Sequence, residues 1–116
     1  MKSEEQVKAE IRLEASRRGW KLFRNNVGVL RDSRGVPVRY GLANDSAALN
    51  KHLKSGDLIG MRPVSITQEM VGKVIGQFVS VECKRPDGRI DPAQQKWADM
   101  INEAGGYAII TRGEFL

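Results

Sequence analysis

Between Phe78 and Thr111 the sequence is punctuated in a way that few folds can satisfy. The run Phe78-Val79-Ser80-Val81-Glu82-Cys83-Lys84-Arg85 reads as a strand with two unlike faces. Val79, Val81 and Cys83 share one face, which is expected to meet a core; Phe78, Ser80, Glu82 and Lys84 share the other. Pro86-Asp87-Gly88 turns the chain. Asp91 then stands as a helix cap, Pro92 takes the first helical position, and Gly105-Gly106 stops a helix spanning Pro92–Ala104. Tyr107–Thr111 is a final strand. An apolar strand, a capped helix and another strand in so short a span require a sheet with a helix laid on it.

The N-terminal part supplies the rest. Ser3–Arg18 is rich in Glu, Lys, Arg and Gln, so it is read as a helix although its apolar residues alternate as in a strand. Ser3 and Gln6 make a capping box. At about 100° per residue, Val7, Ile11 and Ala15 fall on one stripe with Glu4 inside it, while Glu5 points to water. Gly19 ends the helix. Trp20–Phe23 is a short strand, and Val27–Leu30 and Val36–Tyr40 flank a hairpin turn at Arg31-Asp32-Ser33-Arg34-Gly35. Asp45–Leu53 is a short helix capped by Asp45 or Ser46, and Asp57–Met61 begins another strand. Pro63–Ile75 has only weak patterning. The fold class is therefore α/β, an α+β mixed sheet flanked by helices, in a single domain over residues 1–116.

Composition narrows the chemistry. The chain has 116 residues, 41% hydrophobic and 28% charged, as expected of one small globular domain. No run of about 18 apolar residues is present, and the N-terminus lacks the apolar core of a secretory signal. A single cysteine, Cys83, excludes an intramolecular disulfide and a cysteine zinc cluster; a single histidine, His52, argues against a multi-histidine metal site. Asp, Glu, Lys and Arg are left to carry any reaction. The net charge is +5, and residues 1–56 carry 12 Lys and Arg against 6 Asp and Glu. That imbalance suits a phosphate polymer as partner.

Three places stand out. Glu82 and Lys84 are neighbours on one strand face. Asp57 follows Ser55-Gly56 at the head of an apolar strand, where a hard carboxylate ligand for Mg²⁺ or Mn²⁺ can sit. If those two strands are adjacent, their carboxylates repel unless a divalent cation or Lys84 lies between them. Gln94 lies at the edge of the apolar stripe Trp97, Ile101, Ala104, and also opposite Asp91 in the capping position. His52 is read as a surface residue, Cys83 as an inert core thiol, and Trp20 and Trp97 as packing residues. Arg31 and Arg34, at the hairpin tip, could reach a groove of DNA.

The series Ser3-Glu4, Arg24-Asn25-Asn26-Val27-Gly28, Tyr40-Gly41-Leu42, Ser55-Gly56-Asp57-Leu58-Ile59-Gly60, Glu82-Cys83-Lys84, Asp91-Pro92-Ala93-Gln94 and Gly105-Gly106-Tyr107-Ala108 resembles the PD-(D/E)XK nuclease superfamily. More closely it resembles the VRR-NUC domain in its compact phage and bacterial form. Ile109-Ile110-Thr111-Arg112 stands where the family carries its Val-Arg-Arg run, a departure that leaves out the second arginine. The resemblance implies a restriction-endonuclease-like core of order α-β-β-β-β-α-β. It also implies that Asp57, Glu82 and the backbone carbonyl of Cys83 bind Mg²⁺ or Mn²⁺. Lys84 would orient or deprotonate the attacking water, Glu4 would reach the metal through water, and Gln94 would hold Lys84 or the water. Arg24, Asn25 and Asn26 would meet the DNA backbone, with Arg17, Arg18, Lys51 and Lys54 as further phosphate contacts.

The expected function is thus a divalent-metal-dependent DNA endonuclease acting on branched DNA in the manner of a Holliday junction resolvase. The alternatives are a flap or nicking nuclease and a non-catalytic DNA-binding module. Paired cuts in a junction need two sites, so a homodimer is expected. No membrane and no small-molecule cofactor are expected as partners, and the expected location is the cytoplasm of a bacterial or phage-infected cell.

Overall fold

The computed structural model describes residues 1–113. The chain is mixed α/β, with small sheets and three helices, and divides into two compact units: Met1–Arg62, and the remainder from Pro63.

The first unit begins with α1 (Glu4–Arg17). Its capping box forms as the sequence requires: the Gln6 N–H donates to Ser3 Oγ at 3.1 Å and the Ser3 N–H donates to Gln6 Oε1 at 2.7 Å. β1 (Lys21–Arg24), β2 (Gly28–Arg31), β3 (Pro37–Tyr40), α2 (Ala47–His52, capped by Ser46) and β4 (Leu58–Met61) follow. β1 and β4 pair antiparallel, with Lys21 opposite Met61 and Arg24 opposite Leu58. β2 and β3 form the expected hairpin, with Leu30 opposite Val38. Asp32 shapes its turn by accepting from the N–H groups of Arg34 at 2.8 Å and Val36 at 2.9 Å. The open end of the hairpin is tied by Asn44, only 2% exposed. Its Nδ2 donates to the carbonyls of Gly28 and Tyr40, while Arg39 donates to both its side-chain and main-chain oxygens.

The second unit holds a single 3₁₀ turn (Gln68–Met70) within the weakly patterned segment, then β5 (Val79–Cys83), α3 (Pro92–Glu103) and β6 (Tyr107–Thr111). β5 and β6 are parallel, with Val79 opposite Tyr107 and Cys83 opposite Thr111. A crossover helix is the usual way to bring two strands parallel. The core here is Ala98, Ile101 and Ala108, with Ile101 fully buried. Gly106 allows that packing: a Cβ there would lie 2.8 Å from the Ile101 side chain and 3.0 Å from the Phe78 carbonyl. On the free edge of β6, Ala108 is covered by Asn102 of α3, whose side chain donates to the Ala108 carbonyl at 3.1 Å and accepts from its N–H at 2.8 Å.

Three expectations are corrected. The strands form three two-stranded sheets rather than one mixed sheet. The order is α-β-β-β-α-β-β-α-β, with one more strand and one more short helix than the expected core. The faces of β5 are also reversed. α3 lies against Ser80 and Glu82, bonded through Trp97 Nε1 to Ser80 Oγ at 2.9 Å, so Val79 and Val81 are 55% and 43% exposed and Cys83 is exposed too. Alternation tells that two faces differ; it does not tell which one a helix will cover.

Candidate active site

In the second unit the chemistry gathers where β5 meets the start of α3. Glu82, next to last in β5, is half-buried, and so is Lys84 just past the strand, with its N–H donating to the Thr111 carbonyl at 2.9 Å. A cleft of about 430 Å³ opens beside them, lined by Ser80, Glu82, Gln94, Trp97 and Ile110 among others. Gln94 does two things at once. Its Oε1 accepts from the Asp91 N–H at 3.1 Å, closing the capping box, and its Nε2 donates to Glu82 Oε1. The amide therefore holds Glu82, not Lys84. Glu82 and Lys84 form no ion pair with each other among the described residues. One carboxylate oxygen is thus oriented and the other is left without a hydrogen bond from those residues. An oriented carboxylate beside a cleft is a suitable hard-ion ligand.

In the first unit Asp57 immediately precedes β4 and is exposed. Its backbone is fixed by Asn25. The Asn25 N–H donates to the Asp57 carbonyl at 2.9 Å, and Asn25 Nδ2 donates to Ser55 Oγ at 2.7 Å and the Gly56 carbonyl at 2.8 Å. Asn25 Oδ1 accepts from the Leu42 N–H at 3.2 Å, and Ser55 donates back to the Leu42 carbonyl at 2.7 Å. Gly41 lets the Leu42 turn approach: its φ is +92°, and a Cβ would lie 2.5 Å from the Asn26 carbonyl. Asn25, expected at the DNA backbone, thus has both ends of its amide engaged inside the protein.

The first helix also differs from expectation. Glu4 and Glu5 are both exposed, as are Val7 and Ile11; only Ala15 of the stripe is buried. The residue that the sequence did not flag is Lys8. It donates to Glu5 Oε1 at 3.1 Å. That bond holds its pKa above the ordinary lysine value, against partial desolvation, and the charges of Asp57 and Glu4 push the same way. Lys8 therefore feels the charge of Asp57 within this unit. An i, i+3 spacing from Glu5 was its only sequence signal.

Among the proposed phosphate contacts, Arg24, Asn26 and Lys51 are exposed, and Arg24 and Lys51 have no ion pair among the described residues. Arg17 and Arg18 both pair with Glu14, at 3.5 and 3.0 Å, and Lys54 donates to Asn50 at 3.0 Å. Arg31 donates to the Gly35 carbonyl and Arg34 pairs with Asp32 at the hairpin tip. His52 is exposed.

Among the described residues, no three His, Cys, Asp or Glu side chains cluster at metal-binding distance. The expected set brings only two such side chains plus a carbonyl. No described helix is long and apolar enough to cross a membrane. No protein-family model, curated protein or solved structure matches the chain.

Proposed function

We propose that the chain is a divalent-metal-dependent DNA endonuclease, structure-specific on branched DNA and active as a homodimer. The observation that carries this reading is the end of β5, where Gln94 orients the Glu82 carboxylate beside a cleft and Lys84 stands two residues on. The resemblance implies Asp57, Glu82 and the Cys83 carbonyl as ligands of Mg²⁺ or Mn²⁺, which would supply charge neutralisation at the scissile phosphate. Lys84 would orient or deprotonate the attacking water. Gln94 keeps Glu82 from swinging away. Arg24, Asn26 and Lys51 meet phosphates, with Arg17, Arg18 and Lys54 adding to the field.

The test is cleavage of labelled junction, flap, splayed and linear DNA with and without each metal. Asp57→Asn and Glu82→Gln are expected to abolish cutting while DNA binding persists. Wild-type cleavage by either variant would remove that residue from the site. Cutting of flaps alone would turn the reading to a flap nuclease, and binding without cutting in either metal would leave a non-catalytic DNA-binding module.

A further inference from the structure

Past its last pair, the ladder of β1 and β4 brings two more residues together. Lys21 lies opposite Met61, so the antiparallel continuation sets Trp20 against Arg62. The Arg62 guanidinium carbon lies 5.7 Å from the centre of the Trp20 ring, within cation–π range. Trp20 is half-buried, and its N–H donates to the Ala15 carbonyl at 2.9 Å, which fixes it against the end of α1. There it walls a groove of about 220 Å³ together with Ile11, Glu14, Ala15 and Arg18. Sites for drug-sized ligands run to roughly 300–1,000 Å³, so this one suits a single flat ring system.

The surroundings are basic. Arg17, Arg18, Lys21 and Arg62 are all exposed in this part of the unit, and the one carboxylate on the groove, Glu14, is already matched by Arg17 and Arg18. An aromatic wall with cations around it fits a ligand that joins a flat ring to phosphates. We propose that this groove takes one unpaired DNA base, stacked on Trp20, with Arg62, Arg18 and Lys21 meeting the flanking phosphates. A paired base has both faces covered by its neighbours in the duplex, so only an unpaired one can offer a face to the indole. The site rests on the DNA-binding reading above and narrows its substrate to DNA with at least one unstacked nucleotide. Trp20 thus packs, as the sequence implied, and also presents a working surface.

The experiment compares a short duplex with the same duplex carrying one unpaired 2-aminopurine, at low salt, by anisotropy and by quenching of the 2-aminopurine emission. Wild-type protein is expected to prefer the second DNA and to quench it. Trp20→Leu, which keeps apolar volume but removes the ring, is expected to lose the quenching and about tenfold of affinity for that DNA, with duplex affinity unchanged. Trp20→Phe is expected to restore most of both, which separates stacking from a folding defect. Quenching intact in Trp20→Leu, or equal losses on the two DNAs, would overturn the site. Wild-type binding to duplex with no preference would overturn it while leaving the DNA reading in place; binding to neither would overturn both.

Discussion

Asn25 is the residue on which most of the first unit's polar organisation converges. It joins the end of β1, the Leu42 turn and the segment Ser55-Gly56 ahead of Asp57. Asn25→Ala leaves these backbone groups without partners and is expected to cost about 2 kcal/mol in urea unfolding. Asn25→Asp keeps the shape and the acceptor for Leu42 but sets a carboxylate against the Gly56 carbonyl. It is expected to be at least as destabilising as the alanine variant; a milder effect would mean that Leu42 is the bond that matters. Asp32 gives a pH prediction. Hydrogen bonds from the Val36 and Arg34 main chain, with a further one from the Arg34 side chain, hold its carboxyl below the ordinary aspartate pKa against slight desolvation. The folded pKa is the lower one, so its contribution is present above the unfolded value and is lost as pH falls through the folded value. Exchange protection of the Arg34 and Val36 amides is therefore expected to drop on acidification, and Asp32→Asn is expected to flatten that profile.

At the level of elements, α3 ties helix initiation to the proposed chemistry through Gln94. Glutamate also serves at that capping position, so Gln94→Glu is expected to keep the helix while placing a like charge against Glu82. Cleavage is expected to fall by at least tenfold with thermal stability little changed, whereas Gln94→Ala loses both the Glu82 contact and about 1 kcal/mol of capping. Equal melting losses in the two variants would show that the Glu82 contact, which both lose, and not the cap, is what Gln94 contributes to stability. The helices were the readable part of this chain. Ser3 with Gln6 and Asp91 with Gln94 mark their starts by local chemistry alone, and both boxes form. Strand positions were readable within a residue or two, since Lys21–Arg24 and Gly28–Arg31 each begin one residue beyond the expected start. What was not readable is partnership across the chain. Nothing near Asn25, Asn44 or Asn102 in sequence announces bonds to residues such as Ser55, Gly28 or Ala108. For the same reason the stripe that carries Glu4 stands exposed in the first unit, and α3 covers the face of β5 opposite to the one its alternation suggests.

For the whole molecule, the apolar surface is the largest fact. Few side chains are buried, while Leu30, Val38, Ile66, Val71, Val74 and Ile75 all stand exposed. Such a surface favours association, in keeping with the proposed homodimer. Sedimentation at micromolar concentration is expected to give twice the mass of one chain. A strict monomer that nicks one strand per encounter would remove the junction-resolving reading and favour the nicking one. A protein with this much open apolar surface must also choose its neighbours, and Asn102 bears on that choice. By satisfying both main-chain groups of Ala108, it takes the start of the outer margin of β6 out of reach of passing strands, for which unpaired main-chain groups are a template. A strand seeking that margin would have to displace one small amide before it could pair along the first half of β6, which makes Asn102 a toll on strand addition there.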